Sequence, residues 1–180
     1  MASIAETRNF FDKFILADIS LTRAEEAIAQ LDNRSKFVAA QVDAREKSSV
    51  KKLIEESKAD IVVNACDPRM NEPIFNAAFE AKCSYIDMAM NLSEPHPTNP
   101  YEQVGNPLGK DQLDADSKWR ERGILALVGM GVEPGLSDVF ARYAADNLFD
   151  TIDEIGVRDG SNLSIDGLDF APTFSIWTTI

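Results

Sequence analysis

Residues 60–88 read DIVVNACDPRMNEPIFNAAFEAKCSYIDM and hold two apolar runs separated by a helical pattern. The first run covers 61–63 and the second covers 85–88, so each has the length of a short buried strand. The stretch between them repeats small and apolar residues at the spacing of one helix face, at Ile74, Ala77, Ala78 and Ala81. A strand, a helix and a second strand in this order are typical of two parallel strands joined by a crossover helix.

The same alternation extends to both sides of this stretch. Apolar runs at 14–17, 37–42 and 124–128 predict three more strands. Amphipathic patterns between them predict helices, and the first helix has Thr22 and Glu25 at the spacing of a capping box. Strands that are apolar on both sides and alternate with such helices predict a doubly wound, or Rossmann, α/β fold with an open parallel sheet.

Later segments do not follow this alternation of strands and helices. Residues 93–111 carry four prolines and predict a long loop, which in a compact domain is typically functional or disordered. Beyond it, a helix beginning at Leu136 and a strand over 152–157 are predicted, and the sequence closes with an apolar run over 174–180.

Composition excludes several classes of protein. The 180 residues include 18 Lys and Arg against 30 Asp and Glu, which gives a net charge of -12 and argues against a nucleic-acid partner. The longest nearly apolar stretch, 123–132, is too short to cross a membrane. One His and two Cys leave no credible metal site, and so few cysteines fit a reducing cytoplasm.

Ligands of open parallel sheets bind at the carboxyl ends of the strands, which directs attention to Asp18. An acid there can hold the adenosine ribose of a dinucleotide, although an Asp after a strand is more often a helix cap. The ribose acid follows the glycine-rich phosphate loop by about 20 residues, yet no glycine precedes Gly105. We therefore expect a fragment whose sheet lacks its first strand and phosphate loop.

Four motifs in combination resemble the saccharopine dehydrogenase-like family, which includes saccharopine reductase, lysine 6-dehydrogenase and carboxynorspermidine synthase. They are Asp60–Pro68, Asn71–Ile74, Tyr85–Ala89 and Gly129–Ser137. The resemblance implies an NAD(P)-binding Rossmann domain over 1–135 and the start of an α+β substrate and dimerisation domain over 136–180, with both domains truncated. It also implies hydride transfer at a carbon bearing an amino-acid or polyamine nitrogen, and a homodimer for the full-length protein.

The resemblance assigns roles to individual residues. It implies Asp18 beside the ribose, Asp43 beside the adenine, and a turn of Asn64, Ala65 and Cys66 under the nicotinamide ribose. It likens Glu133, Pro134 and Gly135 to a substrate-side Asp-Pro-Gly turn, although saccharopine reductases continue with an Asp and a His where Ser137 and Asp138 stand here. A carboxylate at Asp18 favours NAD over NADP, whereas Arg23, one helical turn further on, could reach a 2′-phosphate.

Several candidate residues carry two interpretations. Cys66 fits a catalytic thiol or a small hydrophobe, and Asp87 fits an acid or base or a loop hydrogen bond. Arg69 fits a substrate carboxylate or a surface ion pair with Asp67 or Glu72. Arg158 fits a substrate pocket or an ion pair, and His96 fits a proton donor or a solvated loop residue.

Glu133 is the stronger catalytic candidate, because Pro134 and Gly135 fix the turn beside it. We therefore predict an NAD(P)-dependent oxidoreductase in which Glu133 or Asp87 handles the amine proton of an amino-acid-like or polyamine substrate. Two alternatives stay open, a non-catalytic binding module without the phosphate loop and an incomplete gene product that is unstable alone.

Overall fold

The computed structural model describes residues 1–158 and 166–167. Strands and helices alternate along this part of the chain, as the sequence predicts. The helices are α1 (Ala2–Ala5), α2 (Leu21–Ala29), α3 (Lys47–Ser57), α4 (Asn71–Glu80), α5 (Lys110–Asp114), α6 (Asp116–Glu121) and α7 (Leu136–Asn147). The strands are β1 (Phe14–Asp18), β2 (Phe37–Gln41), β3 (Ile61–Asn64), β4 (Ser84–Asp87) and β5 (Ala126–Leu127).

The strands form two open sheets. β1 pairs with β2 in parallel, from Phe14 opposite Phe37 to Asp18 opposite Gln41. The second sheet has the order β3-β4-β5, and β4 and β5 run parallel with Tyr85 opposite Ala126. The predicted α/β class with open parallel sheets is confirmed.

The chain forms two compact units, and each is described by itself. Unit 1 comprises Met1–Val62 and Glu72–Ser84. Unit 2 comprises Val63–Asn71 and the described residues from Tyr85 onward. The predicted boundary between 135 and 136 remains a prediction.

Unit 1 is organised around apolar helix faces and an aromatic pair. The rings of Phe14 and Phe37 lie 5.2 Å apart on neighbouring strands. The predicted helix faces are confirmed by their burial, which includes Ala24 at 2% exposure and Ile54 at 5%. Full burial of one large apolar side chain stabilises a fold by about 1.5–3 kcal/mol, and α2 packs against both β1 and β2.

The start of α2 differs from the predicted capping box at Thr22 and Glu25. The N-cap is Ser20, whose side chain accepts a hydrogen bond from the backbone N–H of Arg23. Ser20 has extended backbone geometry, which an N-cap requires, whereas Thr22 already lies inside the helix. The sequence offers two cap signals two residues apart, and the prediction at Thr22 is wrong.

Two strand predictions need correction. Residues 152–157 form neither strand nor helix, so the strand predicted there is wrong. The run over 124–128 contributes only the two-residue strand β5. The apolar run over 174–180 lies outside the described residues. Among the described helices, none is long and apolar enough to cross a membrane.

Candidate functional site

In unit 1, Asp18 ends β1 and is partly accessible to solvent. Its Oδ1 accepts a hydrogen bond of 2.8 Å from the backbone N–H of Ser20. The guanidinium of Arg23 lies 3.9 Å from the same oxygen, and the side chains of Asp18 and Arg23 are 36% and 71% exposed, respectively. The carboxylate is thus held in direction by the backbone while remaining reachable by a ligand at the carboxyl end of the strand.

Asp43 follows β2 and is engaged by a neighbouring arginine. Arg45 donates from Nη2 to Asp43 Oδ2 at 2.6 Å and from Nε to Asp43 Oδ1 at 2.9 Å. The hydrogen bonds from the side chain and backbone of Arg45 lower the pKa of Asp43 to about 2. Nearby, the N–H of Val42 donates to the carbonyl of Asp18 at 3.0 Å, which brings the ends of β1 and β2 together.

In unit 2, a buried polar network holds the turn that follows β3. Asn64 is 3% exposed, and its Nδ2 donates to Asn71 Oδ1 at 2.8 Å and to Tyr85 Oη at 3.0 Å. Its Oδ1 accepts from the backbone N–H of Cys66 at 3.0 Å. Asn71 in turn donates to the carbonyl of Ala89 at 2.7 Å. The Asn64 side chain is therefore used to shape the turn, and its polar atoms face the protein.

Tyr85 lies at the centre of this network and is fully buried. Burial raises the pKa of its hydroxyl well above the usual range, and the neighbouring charge of Asp87 acts in the same direction. The hydrogen bond from Asn64 works the other way and is outweighed. The hydroxyl therefore stays protonated and can donate as well as accept hydrogen bonds.

The turn itself presents Ala65 and Cys66 to solvent. Cys66 is an exposed thiol, so its interpretation as a buried small hydrophobe is wrong. Asp67 and Arg69 form a close pair, with Nε to Oδ1 at 2.8 Å and Nη2 to Oδ2 at 2.9 Å. The ion-pair interpretation of Arg69 is thereby confirmed, and the hydrogen bonds from Arg69 lower the pKa of Asp67 to about 2.

Asp87 ends β4 and is 1% exposed. Its Oδ1 accepts from the backbone N–H of Gly129 at 2.6 Å, and its Oδ2 accepts from Nε2 of Gln112 at 2.7 Å. Gln112 is also buried, and its Oε1 accepts from the backbone N–H of Asn91 at 2.8 Å. This geometry is the loop hydrogen bond that the sequence offered as the second interpretation of Asp87.

The segment 129–135 forms a tight turn with Glu133 at its exposed tip. The N–H of Gly131 donates to the carbonyl of Pro134 at 3.0 Å. Gly135 has a φ of +131°, and an added Cβ there would lie 2.6 Å from the nitrogen of Gly131, so only glycine fits. The side chain of Asp138 accepts from the N–H of Gly135 at 2.8 Å and so fixes the start of α7.

The remaining candidates lie on irregular backbone. Nδ1 of His96 accepts from the backbone N–H of Asn99 at 3.2 Å within the proline-containing loop, as a structural loop residue does. Arg158 is exposed and lies outside any helix or strand. In the described part of the chain, no group of three or more His, Cys, Asp or Glu side chains is arranged to hold a metal ion.

Sequence reasoning missed three residues of unit 2 that organise this site. The sequence marks Tyr85 only as a strand residue and Asn71 only as part of a motif, while Gln112 carries no signal at all. Gln112 and Asp87 are 25 positions apart, and the proline-containing loop lies between them, so no periodicity connects the two. The available signal for Tyr85 was the alternation of polar and apolar residues along its strand, which places Tyr85 and Asp87 on the same face.

A protein-family model, the saccharopine dehydrogenase NADP binding domain, matches residues 1–127. The chain belongs to this family. Carboxynorspermidine synthase of Vibrio cholerae is 33% identical over 98% of this chain, and that of Vibrio alginolyticus is 38% identical over 79% of it. Carboxyaminopropylagmatine dehydrogenase of Synechocystis is 28% identical over 92% of the chain. The aligned part amounts to 43%, 33% and 39% of these three proteins, respectively.

The fold is shared with a solved structure, the apo saccharopine dehydrogenase (L-Glu forming) from Saccharomyces cerevisiae. The superposition has a TM-score of 0.58 and covers 81% of this chain and 27% of the yeast chain. At 14% identity this likeness concerns the fold alone. The family membership predicted from four short motifs is confirmed by the family model, which rests on residues 1–127 as a whole.

Proposed function

We propose that this chain supplies the dinucleotide-binding part of an NAD(P)-dependent oxidoreductase that acts on a carbon bearing an amino-acid or polyamine nitrogen. The observation that carries the proposal is the family match over residues 1–127, together with an accessible carboxylate at the end of β1. Relatives named for carboxynorspermidine and carboxyaminopropylagmatine support a polyamine-type substrate. We propose the cytoplasm as its location and a homodimer for the whole protein.

The residues of unit 1 fit the adenosine end of a dinucleotide. Asp18 presents a carboxylate whose one oxygen is already oriented by the N–H of Ser20, which suits a bidentate contact with ribose hydroxyls. Asp43 and its partner Arg45 lie after the neighbouring strand, where we place the adenine. When bound, the nicotinamide of such a cofactor accepts or donates the hydride.

The choice between NAD and NADP depends on a pair of opposite charges. The family is described by NADP binding, whereas a carboxylate at Asp18 repels a 2′-phosphate. Arg23 is 71% exposed and lies 3.9 Å from Asp18, so its guanidinium is available to a phosphate. We propose that Asp18 favours NAD and that Arg23 allows NADP as a second cofactor.

On the substrate side we assign the residues of two turns in unit 2. Glu133 is the group that exchanges the amine proton, because it is exposed on a turn of fixed backbone. Ala65 and Cys66 present the exposed turn beneath the nicotinamide ribose, with Cys66 as a second catalytic candidate. Pro134 and Gly135 shape the substrate pocket.

Arg69 and Arg158 are proposed to bind a substrate carboxylate. Arg69 would have to exchange its pairing with Asp67 for the ligand, and at 73% exposure its guanidinium has room to turn. Arg158 is exposed near the end of the described chain.

Titration of the chain with NADH and with NADPH, followed by fluorescence of the reduced cofactor, tests this proposal. We expect Asp18→Ala to weaken cofactor binding and Asp12→Ala, the same change at another exposed carboxylate, to leave it unchanged. Binding that responds equally to both variants would overturn the role of Asp18. No binding by a folded chain would support the expected lack of a phosphate loop, and strong binding would contradict it.

A further inference from the structure

Asp87 connects three segments of unit 2 that are distant in sequence: the end of β4, helix α5 and the turn 129–135. We propose that Asp87, Gln112 and the backbone of Asn91 form a hydrogen-bond relay of fixed polarity that positions the turn carrying Glu133. Asp87 is then a positioning residue and makes no contact with the substrate. The link to proton exchange rests on the proposed function, whereas the relay itself does not.

The polarity of the relay follows from the chemistry of its groups. A carboxylate buried among donors can only accept, and Asp87 accepts at both oxygens, from Gly129 N–H and from Gln112 Nε2. The Gln112 amide must therefore turn its NH₂ toward Asp87, which leaves Oε1 to accept from the N–H of Asn91 at 2.8 Å. The Asn91 N–H favours the same orientation, so the two partners of Gln112 agree.

The relay anchors the turn at its first residues. Asp87 binds Gly129 through its side chain, and its carbonyl accepts from the N–H of Met130 at 2.9 Å. Gly131 packs so closely on the carbonyl of Met88 that an added Cβ would clash with it. The N–H of Leu136 closes the turn onto the carbonyl of Gly131 at 2.9 Å. The position of Glu133 is thus set from both ends of the turn.

Burial makes the relay sensitive to a change of polarity. Asp87 is 1% and Gln112 4% exposed, so water cannot substitute for a lost partner. Charge-assisted hydrogen bonds of 2.6 and 2.7 Å are about twice as strong as neutral ones. An uncharged residue of the same shape at position 87 should therefore disturb both neighbours.

Three variants test the relay. The two single variants break it, and the double variant exchanges donor and acceptor between positions 87 and 112. In Asp87→Asn, one oxygen becomes an NH₂ group. That group faces either the NH₂ of Gln112 or the N–H of Gly129, so the contact with Gln112, the contact of Gln112 with Asn91, or the contact with Gly129 is lost. In Gln112→Glu, two carboxylates face each other. In the double variant, the new amide oxygen at position 87 accepts from Gly129, and the new NH₂ group donates to the carboxylate at position 112. That carboxylate also accepts from Asn91, so the three hydrogen bonds of the relay are restored with the same net charge.

Amide hydrogen exchange on the whole chain is the measurement. We expect Asp87→Asn to accelerate exchange of whichever amide loses its acceptor, Gly129 or Asn91, by roughly tenfold or more, which corresponds to the loss of one buried hydrogen bond. We expect Gln112→Glu to accelerate both, because repulsion between the two carboxylates moves them away from these amides. We also expect faster exchange of the Gly131 and Leu136 amides. If Asp87 affected only its own contacts, the exchange rates of these two amides would not change. The double variant should restore slow exchange at all four amides.

Asp114→Asn on the same helix is the control, because Asp114 is exposed and pairs with Lys110 at the surface. If the double variant exchanges as fast as the single variants, the relay is wrong. If Gly131 and Leu136 keep their protection when Gly129 loses it, positioning of the turn is wrong. If Asp18→Ala leaves cofactor affinity unchanged while the double variant shows the rescue, the proposed cofactor site is wrong and the relay stands.

Discussion

Asp18 and Asp87 occupy the same place in the sequence pattern, since each ends a strand of a parallel sheet, yet their surroundings differ. The side chain of Asp18 is 36% exposed and has one oxygen held by a backbone N–H at 2.8 Å. Asp87 is 1% exposed and has both oxygens bound, to Gly129 and Gln112. Exposure leaves the first carboxylate available to a ligand, while burial commits the second to holding the protein together.

The difference shows that a strand-end carboxylate is interpreted correctly only once its donors are known. Both residues satisfy the rule that ligands bind at the carboxyl ends of strands. For Asp87, however, the local donors are supplied by a helix and a glycine turn that lie 25 and 42 positions further along the chain. We therefore expect substitutions to separate the two residues by their effects on stability and on cofactor affinity.

The largest effect is expected for Asp87→Ala. Loss of the carboxylate leaves the N–H of Gly129 and the amide of Gln112 buried without their acceptor, at about 1–3 kcal/mol each. The free energy of unfolding, measured in urea, should fall by about 2–5 kcal/mol, whereas Asp18→Ala should change it by about 1 kcal/mol or less. Equal losses of unfolding free energy in the two variants would contradict the distinction between a buried structural carboxylate and an accessible one.

A smaller effect is expected for Asp18→Asn on cofactor choice. Removing the negative charge abolishes repulsion of a 2′-phosphate, so the ratio of NADPH to NADH affinity should rise by on the order of tenfold. Arg23→Gln should shift the ratio in the opposite direction. Fluorescence titration with both reduced cofactors measures the ratio. An unchanged ratio in both variants would show that residues other than Asp18 and Arg23 select between NAD and NADP.

Tyr85→Phe sharpens the contrast inside unit 2. The substitution removes the hydroxyl that accepts from Asn64, but Asn64 keeps its bond to Asn71. We expect a loss of about 0.5–1.5 kcal/mol in the free energy of unfolding, less than for Asp87→Ala. A loss as large as that of Asp87→Ala would make the Asn64 network, and not the carboxylate, the main support of this region.

A further prediction concerns pH and the buried thiol of unit 1. Burial raises the pKa of Cys83 from its ordinary value of 9.0 to about 11. A group whose pKa is raised on folding contributes stability below its unfolded pKa, and that contribution disappears as the pH rises through the folded value. Stability should therefore decline between about pH 9 and 11, and Cys83→Ala should remove that part of the decline in urea titrations.

Much of the fold could be predicted from the sequence because it is encoded locally. The helix faces of α2, α3 and α4 repeat within one or two turns, and β1, β2 and β3 are mostly apolar runs. The cap at Ser20 was missed because Thr22 offers an equally good hydroxyl, and only backbone geometry decides between them. Residues 152–157 have the composition of a strand, but they form no strand in the described chain.

The candidate site was predictable in outline only. The accessible ends of the strands placed Asp18, Asp43 and the turn around Cys66 correctly at the carboxyl edge of their sheets. The pairings of Arg69 with Asp67 and of Gln112 with Asp87 could not be ranked in advance, because they depend on side-chain directions and on contacts across a long loop. Tertiary packing supplies that information, and spacing does not.

Amide hydrogen exchange with and without saturating NADH tests the contrast between the two carboxylates most directly. The N–H of Ser20 is bonded to Asp18 and the N–H of Gly129 to Asp87, so each amide reports on one of them. We predict slow exchange of Gly129 in both samples, and exchange of Ser20 that is fast alone and slowed by the cofactor. Fast exchange of Gly129 without ligand, or a Ser20 amide that does not respond to bound NADH, would contradict the account.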